Sequence, residues 1–377
     1  MDFDFREYLL SDILPFWLRH GLDGEWGINT NLDREGNPYG YDKNVWFFGR
    51  SLYTFSVAYS TLRPDPEYLA FAKCNYEFLK RCEGEGGRLP FVVNRFGQPI
   101  ISREAYFSET FAAVGCAEYY LATGLAEAKE RAERYFDIAC SLYFADLARV
   151  PSENPPVPET KALGPSMIML SVCQVMRRLG DGRYSEIAKR CVKEILLHKT
   201  PRGLLENVGL SGEFIDSPFG REVNPGHSLE AAWFLMAEGE YLGDRRLIDE
   251  ALRIVDISMK LGYRGGGIIA FCDCDGNPPA QLEWDMKIWW PQCEALIANR
   301  LAYALSGEER YKVWYGELLS YVFARYPDRE FGEWFGYMHY DGTLANSLKG
   351  NISKGPFHLP RMLMLLDRIE RGEPVLK

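Results

Sequence analysis

Apolar residues recur every three to four positions along most of the chain, the spacing that gives an α-helix one buried face. Residues 43–62 are typical, with Val45, Phe48, Leu52 and Phe55 on one stripe. The pattern predicts twelve helices, near 7–20, 43–62, 65–83, 105–123, 126–147, 162–180, 183–198, 227–243, 245–262, 286–306, 308–326 and 357–371. Strand-and-turn signals interrupt them at Asp33-Arg-Glu-Gly36-Asn, Asn94-Arg-Phe-Gly97-Gln, Leu210-Ser-Gly212-Glu, Asp275-Gly276-Asn and Asp341-Gly342-Thr. Each reads as a hairpin-like turn in which glycine supplies a positive φ.

The turns are regularly spaced. Gly36 and Gly97 are 61 residues apart, Gly212 and Gly276 are 64 apart, and Gly276 and Gly342 are 66 apart. The 115 residues from Gly97 to Gly212 span two such steps, and the missing turn falls at the proline-rich stretch Pro151–Pro158. A unit of about 60 residues, repeated roughly six times, with a helix pair in each, predicts an all-α (α/α)6 barrel with short β-hairpins in its connecting loops. An open solenoid is the competing arrangement, but solenoids keep tighter repeat lengths. Pro151–Pro158 is the best candidate for a linker. The helical rhythm continues on both sides of it, so residues 1–377 are expected to form a single barrel domain.

Composition narrows the class of partner. The 377 residues carry 43 Lys and Arg against 53 Asp and Glu, a formal charge of −10. Binders of nucleic acid or anionic membrane are usually basic, so both are disfavoured. No apolar run is long enough to span a bilayer. The start, MDFDFREYLLSDILPFW, is acidic and lacks the basic region of a secretory leader. Nine cysteines, an odd and scattered set, suggest reduced thiols and a cytoplasmic setting. Cys272-Asp-Cys274 is the only close pair, and without a second pair at ligand spacing no metal site is expected. Aromatics reach 14% of residues, which serves a large core and also suits stacking on sugars.

Five histidines are present, and two share a setting. His227 lies in Asn224-Pro-Gly-His-Ser-Leu-Glu230 and His358 in Lys354-Gly-Pro-Phe-His-Leu-Pro-Arg361, each where a turn runs into a helix. A helix N-terminus disfavours positive charge and so favours the neutral imidazole that a general base needs. A packed or capping histidine is the bland alternative, of about equal weight for the two together. Glu230, one helical turn after His227, is placed to orient that imidazole or stabilise its cation. The run from Gln281 to Glu294 mixes Glu283, Asp285, Lys287 and Glu294 with Trp284, Trp289 and Trp290. Such a mixture suits a sugar pocket and equally suits a half-buried helix anchored by tryptophan. Arg50, after the apolar run that begins at Val45 and Trp46, either enters the barrel and needs a partner or faces solvent. No phosphate loop, dinucleotide fingerprint, zinc-protease motif or nucleophile elbow occurs. Two bases without an evident cofactor fit proton transfer at carbon.

These segments resemble the N-acylglucosamine 2-epimerase family, whose animal members are also called renin-binding proteins. The likeness begins at Lys43-Asn-Val-Trp-Phe-Phe-Gly-Arg50, Phe107-Ser-Glu-Thr-Phe111 and Leu205-Glu-Asn-Val208. It continues through Gly220-Arg-Glu-Val-Asn-Pro-Gly-His-Ser-Leu-Glu-Ala-Ala-Trp-Phe234, the Gln281–Glu294 cluster, Gly332-Glu-Trp-Phe-Gly336 and Lys354–Arg361. The resemblance implies an (α/α)6 barrel and exchange of N-acetylglucosamine with N-acetylmannosamine by deprotonation and reprotonation at C2. It implies His227, His358, Glu230 and Glu294 as catalytic groups, and Arg50, Trp46, Trp290, Lys287, Glu283 and Arg221 as substrate-binding groups. Arg50 is expected to stabilise the O1 oxyanion, and His358 is assigned the gluco epimer and His227 the manno epimer. No cofactor is required, ATP is expected as a non-consumed activator, and the family leads one to expect a homodimer. Cellobiose 2-epimerases and mannose isomerases, the alternative, resemble one another in an extra histidine early in the helix near 162–180. Here that stretch reads Leu163-Gly-Pro-Ser-Met-Ile-Met-Leu170, so the N-acyl branch is favoured. A glycoside hydrolase on the same barrel and a non-catalytic binding protein are the remaining readings.

Overall fold

Among the described residues, twelve helical rods alternate between an outer and an inner ring. The computed structural model describes residues 3–102, 106–147, 159–180 and 182–376. The Pro151–Pro158 stretch lies outside them. The first outer rod runs through Phe5–Tyr8 and a π-turn at Leu9–Ile13 into α1 (Leu14–His20). The other outer helices are α3 (Pro66–Arg81), α5 (Ala126–Leu147), α7 (Arg183–Leu197), α9 (Arg245–Gly262) and α11 (Glu309–Arg325). The inner ring is α2 (Trp46–Thr61), α4 (Phe107–Thr123), α6 (Leu163–Met176), α8 (Pro225–Leu242), α10 (Trp289–Ser306) and α12 (His358–Glu370). This is the (α/α)6 barrel that the repeat of turns predicts.

Burial separates the rings as the pattern requires. Outer α7 buries one stripe, Tyr184, Ala188, Cys191 and Ile195. Inner α8 buries nearly every residue from Pro225 to Gly239, being covered by α9 on one side and by neighbouring inner helices on others. Such a helix carries apolar residues all round. Inner α2 and α4 meet backbone to backbone. A Cβ on Gly49 would stand 2.2 Å from the Phe111 carbonyl oxygen, and one on Gly115 would stand 2.4 Å from that of Gly49.

Inner-to-outer connections are short, whereas the outer-to-inner connectors are long and carry the five glycine turns. Gly36, Gly97, Gly212, Gly276 and Gly342 all adopt φ between 83° and 92°, a region only glycine enters freely. The connectors also pair with one another, which the reading of isolated hairpins misses. Lys43–Asn44 pairs with Val92–Val93, Thr160–Ala162 with Asn207–Gly209, Glu222–Val223 with Cys272–Asp273, and Lys287–Ile288 with Tyr337–Met338. A bridge from Leu32 to Gly350 joins the first connector to the last. Cross-connector pairing depends on partners some 40 to 60 residues away, so local turn chemistry cannot announce it.

Ring closure is reinforced between α2 and the approach to α12, where Thr54 Oγ1 donates to the Pro356 carbonyl at 2.6 Å. It is reinforced again at buried Glu333. That carboxylate accepts from Trp17 Nε1 at 2.7 Å and from Lys354 Nζ at 2.8 Å. Glu333 holds φ at 59°, a left-handed conformation that its pairing offsets. No helix among the described residues is long and apolar enough to cross a membrane. All nine cysteines are unpaired, and no cluster of metal-ligating side chains among the described residues includes Cys272 or Cys274.

Candidate active site

The inner helices begin at the connector end of the barrel, and their first turns surround a cavity of about 340 Å³. Local sequence sets its two histidines there. Asn224 is the N-cap of α8, and its side-chain oxygen accepts from the His227 backbone N–H at 3.1 Å. Pro225 takes the first helical position, where a missing N–H costs nothing. Gly226 leaves room for a neighbour, since a Cβ there would meet the Trp290 ring at 2.7 Å. The Asn-Pro-Gly-His run therefore places His227 against Trp290. The ring centroids are 5.1 Å apart, and Trp290 lies 5.7 Å from His358 on its other contact. His358 opens α12 directly after Phe357.

Each imidazole is held by its own carboxylate. His358 Nδ1 lies 2.8 Å from Glu294 Oε1, and His227 Nδ1 lies 3.1 Å from both oxygens of Glu206. A carboxylate only accepts, so Nδ1 carries the proton in each neutral ring and Nε2 keeps the lone pair. Their charge preferences nevertheless diverge. Burial drives His358 well below the ordinary histidine value of 6.5; Glu230 opposes this, while Arg361 and Arg50 add to it. Burial also acts to lower His227, but Glu206, by charge and hydrogen bond, overrides it and leaves His227 above 6.5. The expectation that both helix starts favour neutral imidazoles therefore holds for His358 and fails for His227. Both rings touch a carboxylate, so contact alone does not separate them. His358 has Arg361 and Arg50 beside it, which add to burial and keep it neutral, whereas His227 has Glu206, Glu230 and Glu222 around it and is raised in spite of its helix start.

Arg361 organises the buried acids. Its Nη2 donates to Glu230 Oε1 at 2.5 Å and to Glu294 Oε1 at 2.8 Å. Glu294 also accepts from Trp233 Nε1 at 2.7 Å. Donor atoms of Glu230, Glu294 and His358 lie within 4.8 Å of one another, close enough to hold a cation. The Arg361 guanidinium already supplies that positive charge. Arg50 is different. It is buried among Phe111, Trp46 and Phe357, with ring centroids 4.1, 4.7 and 4.9 Å away, and its Nε has no partner. It meets no carboxylate at ion-pair distance among the described residues. Burial pulls it down to about 9, with Glu230 pulling the other way. A cation so placed is short of hydrogen-bond acceptors, which an oxygen-bearing ligand would provide.

Of the residues singled out from sequence, His227, His358, Glu230, Arg50, Trp46 and Trp290 line the cavity, and Glu294 stands behind His358. Of the two roles expected of Glu230, Glu206 takes the hydrogen bond that orients His227, while Glu230 accepts from Arg361 and favours the His227 cation by its charge. Three expected binding residues stand elsewhere. Lys287 is buried behind the rim, its Nζ 4.8 Å from the Tyr321 ring centroid and donating to the Gly265 carbonyl at 3.2 Å. Glu283 is exposed on the rim. Arg221 donates from Nε to Asp273 at 3.0 Å, fastening one connector to the next. Both positively charged residues carry out structural pairing, which their sequence context does not separate from binding. Glu206 and Arg361 sit inside the recognisable motifs, yet nothing in their sequence context assigns either a role. Glu206 becomes legible only once the backbone clamps it, its N–H on the Glu222 carbonyl and its own carbonyl accepting from Leu163, both at 2.9 Å.

A family model described as N-acylglucosamine 2-epimerase (GlcNAc 2-epimerase) matches residues 27–357. The chain is 32% identical to the N-acylglucosamine 2-epimerase of Mus musculus over 96% of this chain and 90% of the mouse protein. Among solved structures, the cellobiose 2-epimerase of Bacillus thermoamylovorans superposes with a TM-score of 0.84 at 22% identity, covering 97% of this chain and 98% of that one. A D-mannose isomerase superposes with a TM-score of 0.85 at 17% identity, covering 99% of both chains.

Proposed function

Because the chain belongs to the N-acylglucosamine 2-epimerase family, we propose that it interconverts N-acetylglucosamine and N-acetylmannosamine by proton exchange at C2 of the open-chain sugar. The observation that carries this reading is the pair of imidazoles that line one cavity and both pack against Trp290, one held neutral and the other inclined to its cation. The open-chain aldehyde acidifies the C2–H, because the anion delocalises into the carbonyl as an enolate. His358 Nε2 removes that proton from one face. Protonated His227 delivers one to the other face, which inverts C2 and leaves the two histidines with exchanged protons. The reverse reaction runs with the roles exchanged.

Carboxylates set the timing of both steps. Glu294 receives the Nδ1–H of His358 and stabilises the imidazolium it becomes. Glu206 does the same for His227 and keeps it charged beforehand. Arg50, without a protein acceptor at its Nε, faces the position where negative charge develops on O1. Each proton is replaced by another, so the reaction consumes no redox cofactor.

Two observations favour this reading over its neighbours. Met167, an apolar side chain, lines the cavity on α6 in the stretch where the sugar-isomerase branch has a histidine. Glu230 and Glu294 share one donor, Arg361 Nη2, at 2.5 and 2.8 Å, so they form a single clamped pair instead of the two separate carboxyls that flank the scissile bond in a glycosidase. The test is NMR of the purified protein with N-acetylmannosamine, with and without ATP, beside mannose and cellobiose. Conversion of N-acetylmannosamine at a far higher rate supports the proposal. Equal or faster turnover of cellobiose moves the enzyme to the other branch.

A further inference from the structure

The cavity is chemically divided along the barrel axis. Its charged and imidazole groups, from Arg50 on α2 to Arg361 on α12, all lie within the first six residues of their helices. Below them the walls become mainly apolar, with Val114 on α4, Val175 on α6, Phe234 on α8 and Leu365 on α12, and with the Tyr53 and Ser171 side chains as the neutral polar exceptions beside Gln174. On α6 the lining runs from Gly164 to Val175, about 16 Å at a rise of ~1.5 Å per residue, and includes no charged side chain. Gln174 spends its amide on the Phe234 carbonyl at 2.9 Å, so it adds little polarity to the chamber.

The bottom is closed by the chain itself. α12 ends at Glu370, and Gly372 takes φ 71° to reverse direction, with its N–H on the Ile369 carbonyl at 3.0 Å. Arg368 donates to the Pro374 carbonyl at 2.6 Å and holds the returning segment. Val375 and Leu376 then line the cavity from below. A sugar has hydroxyls on every edge and would lose hydrogen bonds in the lower half. The lower half suits only the apolar part of a substrate whose sugar stays beside the histidines.

We propose that this lower half is an acyl chamber, floored by Val375 and Leu376, that takes N-acyl chains longer than acetyl. The inference rests on the epimerase reading, since the N-acyl group is the one apolar arm such a sugar carries. Each methylene buried there is worth about 0.8 kcal/mol, close to fourfold in affinity.

The test compares N-acetyl-, N-butanoyl- and N-hexanoylmannosamine, with C2 epimerisation followed by NMR. Expected is a kcat/KM that rises about two- to fourfold per methylene from acetyl to butanoyl. Leu376→Trp, which raises the floor, should lower the butanoyl-to-acetyl ratio below that of the parent. Val375→Ala, which deepens it, should raise the hexanoyl-to-acetyl ratio. A ratio within one variant is insensitive to how much of it folds. Turnover of the acetyl sugar with kcat/KM falling at each added methylene would overturn the chamber and leave the epimerase reading standing. Unchanged ratios in both variants would overturn the role of the floor. No turnover of any of the three sugars would overturn the epimerase reading and the chamber with it.

Discussion

His227 and His358 occupy equivalent helix starts, and their partners drive them to different charge states. Burial, reinforced by Arg361 and Arg50, keeps His358 neutral; Glu206 raises His227 above 6.5. The sign of the pH dependence follows. Lost activity on the acid side marks protonation of the base His358, so that limb lies well below 6.5. Lost activity on the alkaline side marks deprotonation of the acid His227, so that limb lies above 6.5. In Glu206→Gln the raising influence disappears, and the alkaline limb of kcat/KM should move to lower pH while the acid limb stays. A profile displaced at neither limb would contradict the pairing. Arg361 supports a second prediction. Arg361→Met leaves Glu230 and Glu294 buried beside each other without a cation, which should cost about 3–5 kcal/mol of stability, read as a fall in the denaturant midpoint. A loss of activity at unchanged midpoint would argue that Arg361 acts only on substrate. At this scale the sequence discloses the histidines, because a histidine after Pro-Gly or Gly-Pro-Phe stands out locally. It does not disclose Glu206, whose partner is 21 residues away across a connector, or separate Lys287 from the binding groups.

Helices and connectors decide how these residues meet. Gly226 brings α8 against α10 closely enough for the Trp290 ring to pack beside His227. Gly226→Ala would push that ring aside. A displacement of about 1 Å at a reacting centre costs as much as 10²-fold, so kcat should fall by about that factor while the thermal midpoint moves only a few degrees. A variant of full activity would show that Trp290 does not position the imidazoles. Helix positions are legible in the sequence because outer rods such as α7 carry one apolar stripe of period 3.6, while inner rods such as α8 are long runs apolar nearly all round. The connector ladders are not, because a two-residue strand such as Lys43–Asn44 carries no alternation of its own. Its register comes from Val92–Val93 in the next repeat.

The whole molecule is a ring, and its function depends on closure. Inner helices from every repeat contribute to one cavity, so the bases on α8 and α12 and the cation on α2 converge only when the last repeat meets the first. The Thr54–Pro356 bond and the Leu32–Gly350 bridge hold that junction. Lys354, nearly fully buried, pairs with Glu333 there. Lys354→Met should leave Glu333 an unpaired buried charge and destabilise the protein by about 3–5 kcal/mol, although the side chain lies outside the cavity. An unchanged denaturation midpoint would show that closure does not rely on this pair. The repeat of about 60 residues makes the ring legible from the chain's own spacing, since six equal steps of helix pairs close naturally. The chemistry inside it is only partly legible there, because the cavity sets Arg50 against Phe357 and His358 at the far end of the chain.

The central claim is that two histidines serve opposite faces of C2, and isotope exchange in D2O tests it most directly. The parent enzyme should place deuterium at C2 of the epimerised product. His227→Asn and His358→Asn should each lose epimerisation by at least ~10²–10⁴-fold, the usual worth of a general acid or base. Each variant should still exchange the C2 proton of the one epimer that faces its remaining imidazole, N-acetylglucosamine for His227→Asn and N-acetylmannosamine for His358→Asn. Epimerised product made in D2O without deuterium at C2, or variants that retain inversion, would contradict the account.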